Sequence, residues 1–167
     1  MMLLKALELG HPDSMLETLR LHSELIYHPS PAVLAKYFEH YKSGPYEGLK
    51  TFFKALRGNY LLVLPSGLHA TLIEKAAANN DKKTAKFAYI DILDYQNAGL
   101  TSDHLSIVFD TFDYDLAIDH VLASHIGSTA VKLGVSNNSA LKMHQALYYY
   151  RVKGYLSAVD ILKEITA

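Results

Sequence analysis

The stretch ALKMHQALYYYRVKGYLSAVDILKEI, residues 140–165, sets the reading of the whole chain. Ala158 is followed three, four and seven positions later by Ile161, Leu162 and Ile165, the spacing that puts apolar side chains on one face of a helix. Upstream, the pair Ala146-Leu147 marks a first helix that the second can pack against. The same arrangement recurs toward the N-terminus. Second helices are anchored at Leu49 (with Phe52, Phe53, Leu56), at Ala85 (with Ala88, Tyr89, Ile92) and at Ala117 (with His120, Val121, Ser124). Their first helices carry Tyr37-Phe38, Leu72-Ile73 and Ile107-Val108. The four anchors lie 36, 32 and 41 residues apart, a period in the range of helical repeats.

Breakers separate these segments at Gly10-His-Pro12, His28-Pro-Ser-Pro31, Ser43-Gly-Pro45, Arg57-Gly-Asn59, Asn79-Asn-Asp81, Gly99 to Asp103, Gly127-Ser128 and Gly134 to Asn138. All five prolines fall before residue 66, so the remainder can run in helices without a ring breaking the backbone ladder. Asp13, Ser30, Asp81, Asp103, Asp113, Ser128 and Ser136 are the expected N-caps, each with a short side chain able to take an orphan backbone N–H. Tyr60 to Leu64 is short and apolar enough for a strand, but no second alternating run exists to pair with it, and a buried connector is expected. The expectation is a single all-α domain of stacked antiparallel helical hairpins, an α-solenoid of four to five repeats without significant sheet. Its repeats would span 1–28, 30–58, 65–98, 101–126 and 136–166, and the array could equally be one stretch of a longer protein.

Composition supports an ordinary folded domain. Of 167 residues half are hydrophobic, and 16 Lys and Arg stand against 17 Asp and Glu. The absence of cysteine excludes disulfides, thiolate zinc sites and thiol catalysis. The longest apolar runs are far short of the roughly 20 residues that span a bilayer, so no membrane association is expected. The opening MMLLKALELG lacks the Arg-rich, acid-poor character of a transit peptide, and no targeting segment is expected in it.

The copies resemble the pentatricopeptide repeat family, stacked helical hairpins related in shape to tetratricopeptide repeats. The best matches are residues 140–165 and the stretch from Leu72-Ile-Glu-Lys-Ala through Ala85 to Gly99-Leu-Thr-Ser-Asp103, which resembles the family's closing turn with Ser102 where proline is usual. The resemblance implies an organellar setting and a part in RNA processing, ribosome assembly or translation, and the expected location is intracellular, in the mitochondrial matrix or the cytoplasm. It also implies that bases would be read by a residue near the start of each first helix, at Ala35, Ala70 and His144 here, and by one in the closing turn. A methyl group cannot hydrogen-bond a base edge, and only His144 suits that role.

Chemical motifs are sparse. Nine histidines invite a metal reading, but there is no HExxH, and His120 and His125 are five apart, unlike the i, i+4 pair of a zinc helix. Asp110, Asp113 and Asp115 lack the glycine and closing glutamate of a calcium loop. No phosphate loop, dinucleotide fingerprint or nucleophile elbow occurs. No catalytic residue, metal ligand or cofactor is expected, and a small helical enzyme or metal protein is the least favoured reading.

Charge is more informative. Residues 1–86 carry a net +3, residues 87–131 hold seven aspartates and no Lys or Arg, and residues 132–167 carry +3. The acidic middle, with Asp110, Asp113 and Asp115 as candidate contacts, suits a basic protein partner. Single-stranded RNA is the alternative ligand, held at the basic ends by His144, Arg151 and Lys153 beside the tyrosines 148–150, because stacking and phosphate contact are what such surfaces use. Three consecutive tyrosines spread over about 200° of a helix, so at least one belongs to the core. The expected function is therefore a non-catalytic binding module for protein recognition.

Overall fold

The computed structural model describes residues 13, 16, 17, 29–57, 62–92, 99–113 and 117–166. Ser30 opens helix α1 (Pro31–Ser43) by accepting the Val33 N–H at 3.4 Å, and Pro31 occupies its first turn, where no backbone donor is needed. Leu34, Tyr37, Phe38 and Tyr41 form its buried stripe at spacings of three and four. On α2 (Tyr46–Arg57) the stripe is Leu49, Phe52, Phe53 and Leu56, all four buried as the periodicity requires. Gly48 lets the two helices come close, since a Cβ there would sit 3.3 Å from the Tyr41 ring, and Tyr41 stacks on Phe52 at 4.9 Å. Burial, then Asp13 and Tyr37, pushes the Tyr41 hydroxyl up to about 12. Each fully buried Leu or Phe contributes about 1.5–3 kcal/mol.

Six more helices follow: α3 (Leu68–Ala78), α4 (Lys82–Ile92), α5 (Ser102–Phe109), α6 (Ala117–Lys132), α7 (Ser139–Arg151) and α8 (Tyr155–Thr166). The described residues are thus all-helical with no strand. The chain divides into two compact units, Met1–Leu72 and Ile73–Ala167. In the second, α7 and α8 form the most extensive helix pair, α7 packs on α5, and α5 touches both α4 and α6.

Three helices end in the same way. Asn80, Gly134 and Lys153 take positive φ values of 55°, 69° and 62°. The following N–H then reaches back to the carbonyl five residues earlier: Asp81 to Ala76, Val135 to Ala130 and Gly154 to Tyr149. This is a Schellman end, which satisfies carbonyls the helix leaves open. The first two turns are announced by Asn and Gly. The third, between α7 and α8, is not, because a lysine holds the left-handed position and the glycine stands one residue later, where a Cβ would meet the Tyr149 carbonyl at 3.3 Å.

Several expectations need correction. Gly127-Ser128 is no breaker: α6 runs through it to Lys132, beyond the expected repeat end at 126. Glycine in a helix interior costs about 1 kcal/mol, less than the packing of Leu122, Ala123, Ile126 and Ala130 supplies. The cap of α7 is Asn138, which accepts the Leu141 N–H at 2.9 Å, and not Ser136; the cap of α5 is Thr101, which leaves Asp103 in the first turn. Ser30 and Asp81 cap as expected, Asp81 accepting the Thr84 N–H at 3.0 Å. In the connector, Leu62 is buried but Val63 is exposed. The expected first repeat falls almost wholly outside the described residues.

The third anchor is also misplaced. Ala117, His120, Val121 and Ser124 are exposed, and the buried row of α6 is Asp119, Leu122, Ala123 and Ile126. Asp119 is thus the buried residue that opens this row, and the other expected anchors, Leu49, Ala85 and Ala158, are buried.

Ala85 has no exposed surface. Ala85→Glu places an unpaired carboxylate there and is expected to cost several kcal/mol, about 3 or more. A urea titration with an unchanged midpoint would remove this register.

Candidate functional site

The buried anchor of α6 is a carboxylate. Asp119 is 0% exposed and accepts three hydrogen bonds: from Lys86 Nζ at 2.9 and 3.2 Å, and from the Asp113 N–H at 2.6 Å. Lys86 is one residue after the Ala85 anchor of α4, and its ammonium also lies 5.8 Å from the centre of the Phe112 ring. Phe112, Phe109 and Tyr148 form an aromatic cluster with centroids 5.5–5.9 Å apart. Burial first, and then Asp119 and Tyr149, push the Tyr148 hydroxyl up to about 12, so it remains a donor.

Histidines bridge one helix pair to the next. The Thr101 N–H donates to His104 Nδ1 at 2.9 Å, which leaves the ring proton on Nε2 to donate to Glu74 of α3 at 2.8 Å. The Tyr89 hydroxyl of α4 lies 3.0 Å from His125 Nδ1 and 3.2 Å from Thr129 Oγ1, both on α6. Burial raises the Tyr89 hydroxyl above its ordinary value, and the Thr129 bond opposes this. His120 of α6 meets the Tyr148 hydroxyl at 3.0 Å, and His144 Nδ1 of α7 meets Asp110 Oδ1 at 2.9 Å. These imidazoles hold helices together, and no group of three His, Asp or Glu that could hold a metal occurs among the described residues.

The candidate contacts are thereby redistributed. Of the seven central aspartates, Asp91 and Asp119 are buried, Asp103, Asp110 and Asp113 are exposed, and Asp94 and Asp115 lie outside the described residues. Asp110 is paired with His144, and the Asp113 backbone is tied to Asp119 while its side chain is exposed. His144, the candidate base reader, is thus already engaged. Arg151 and Lys153 are exposed at the end of α7, Tyr150 is exposed, and Tyr148 is the core tyrosine of the three.

An apolar groove that the sequence reading did not single out lies between α7 and α8. Its volume is about 470 Å³, and Met143, Leu147, Tyr150, Tyr155, Val159 and Leu162 line it. Three of these side chains are more exposed than apolar residues at similar spacing in other helices. Leu162 stands four residues after its anchor, as do Phe53, Tyr89 and Ala123, which are buried, yet Leu162 is 40% exposed. Val159 stands one residue after its anchor, as do Lys86 and His120, which reach forward to Asp119 and Tyr148, yet Val159 is 47% exposed. Leu147 matches Phe38, Ile73 and Val108 in the first-helix pairs, all buried, yet it is 42% exposed. Its signal in the sequence is the apolar row of α8. No protein family, curated protein or solved structure matches this chain.

Two predictions follow from the buried pair and from His125. Asp119→Leu strands the Lys86 charge and the Asp113 N–H and is expected to cost about 3–5 kcal/mol, whereas Lys86→Met with Asp119→Leu should recover much of it. Equal losses in urea melts of the single and double variants would contradict the coupling. Burial, and secondarily Lys132, hold His125 below its ordinary 6.5. In that window the unfolded chain binds the proton and the folded one does not, so this contribution is full above 6.5 and is lost as pH falls. Thermal melts between about pH 8 and 5 should show His125→Gln losing less Tm on acidification than the parent; parallel profiles would refute the assignment.

Proposed function

We propose that this protein is a non-catalytic helical-repeat scaffold for protein recognition, built of stacked hairpins of the pentatricopeptide-like kind. The observation that carries the reading is the apolar groove of α7–α8, in which Leu147, Val159 and Leu162 are exposed. Exposed apolar patches of this contiguity mark interaction sites on soluble proteins. The exposed carboxylates of Asp103, Asp110 and Asp113 suit a basic partner, which they would steer and orient rather than anchor. An intracellular role in RNA metabolism or translation fits this reading through the family resemblance alone.

Direct RNA binding is the second reading. Its support is the exposed ring of Tyr150 beside the exposed Arg151 and Lys153. It is weakened by His144 being engaged with Asp110 and by the carboxylates a phosphate backbone would have to cross.

Selection from a library of random peptides tests the two together. Peptides with apolar residues at i, i+3 and i+4 should be enriched, should bind in the micromolar range or tighter, about −8 kcal/mol, and should lose binding to Leu162→Asp. No enrichment, or unchanged binding to that variant, rejects the recognition reading. Salt-sensitive binding of mixed single-stranded RNA that Arg151→Gln and Lys153→Gln abolish would put RNA in its place.

A further inference from the structure

We infer that the α7–α8 groove takes a short amphipathic helix of a partner protein, one with carboxylates C-terminal to its apolar row, lying parallel to α7. The inference rests on the protein-recognition reading and names its ligand. Each wall of the groove is a row at i, i+4 and i+7: Met143, Leu147 and Tyr150 on α7, and Tyr155, Val159 and Leu162 on α8. Seven residues of helix rise about 10.5 Å, or two turns, so a two-turn apolar row matches the groove in length. A helix also satisfies its own backbone, whereas an extended segment laid between two helices finds no ladder of N–H and C=O groups to pair with. Helices seated in grooves of this kind are held by anchors at i, i+4 and i+7.

The apolar rows set no direction, and charge supplies it. Between Tyr148 and Ala158 the chain holds Arg151 and Lys153, both exposed, and no acid. These cations stand at the turn joining the two helices, next to Tyr150 and Tyr155. The Met143–Leu162 end is different. There Lys142 is paired with Glu164 at 3.1 Å, Lys163 with Asp160 at 3.4 Å, and the Asp110 carboxylate lies 2.9 Å from His144. One end of the groove is therefore basic and the other has its cations matched by carboxylates. A docked helix carries partial positive charge at its N-terminus and partial negative charge at its C-terminus. Its C-terminal end belongs over Arg151 and Lys153, and acidic side chains there strengthen the match. Because α7 runs from Met143 toward Tyr150, this is the parallel orientation. The sign is opposite to the one favoured by the exposed aspartates, so the two surfaces suit different parts of a partner.

Fluorescence anisotropy with two synthetic helical peptides tests this. Both carry Leu at i, i+4 and i+7 on an alanine and glutamine background, and one ends in Glu-Glu, the other in Lys-Lys. The Glu-ended peptide is expected to bind about tenfold tighter, with the preference shrinking as salt rises. Arg151→Glu with Lys153→Glu should reverse the preference. Lys153→Asn, a milder change that tolerates the left-handed turn at this position, should reduce it. Moving the Glu pair to the peptide's N-terminal end should weaken binding, although it stabilises the free helix, and Leu162→Asp should remove binding. Far-UV circular dichroism shows whether each variant folds. Equal binding of the two peptides, a preference that the charge variants leave unmoved, or indifference to which end carries the Glu pair overturns the inference. So does sedimentation equilibrium showing a second copy held through Leu162. If neither synthetic peptide binds while library-selected peptides do so through Leu162, this inference falls alone; if no peptide from either source binds, the recognition reading falls with it.

Discussion

The carboxylate of Asp119 is the constraint around which the second unit is organised. It ends inside the protein, where an unpaired charge would be prohibitive, and it is satisfied from two directions by Lys86 of α4 and by the Asp113 backbone before α6. One side chain therefore fixes α4, the start of α6 and the connector between α5 and α6. The aromatic rings of Phe109, Phe112 and Tyr148 close over the same region and exclude water from it. A buried pair of this kind adds little net stability over an apolar one. Its effect is positional, since the buried Asp119 carboxylate holds the Lys86 ammonium at 2.9 Å.

The histidines extend that logic. A neutral imidazole accepts at one nitrogen and donates at the other, so it can serve two segments at once, as His104 serves Thr101 and Glu74. His125, His120 and His144 each meet a hydroxyl or carboxylate on another helix pair. Helix pairs joined by such contacts are matched by chemistry as well as by shape. This accounts for a histidine-rich chain whose described residues assemble no metal cluster.

Against this background the α7–α8 face is the exception. Elsewhere in the second unit the junctions combine burial with polar matching, whereas this face presents an apolar row to the surface. A surface so built gains from being covered and places few directional demands on what covers it. The proposal of protein recognition rests on that asymmetry more than on the acidic tract. Much of the tract's charge is structural: Asp119 is neutralised inside, and Asp110 is paired with His144.

Helical class, most helix breaks and the burial of Leu49, Ala85 and Ala158 were legible in the sequence, because they depend on local quantities. The 3.6-residue period selects Leu49, Phe52, Phe53 and Leu56, the caps Ser30 and Asp81 act within three residues, and Asn80 and Gly134 tolerate the left-handed turn on their own. The register of α6 was not legible. An aspartate reads as surface until a lysine 33 residues earlier is brought to 2.9 Å, and that proximity exists only in the folded chain. Lys153 in a left-handed turn and the continuity of α6 through Gly127 are likewise decided by packing that outweighs local preference. The groove is the clearest case. Sequence identifies Leu147, Val159 and Leu162 as members of apolar rows, but whether a row is core or surface depends on which element lies across it, and that is a property of the tertiary structure alone.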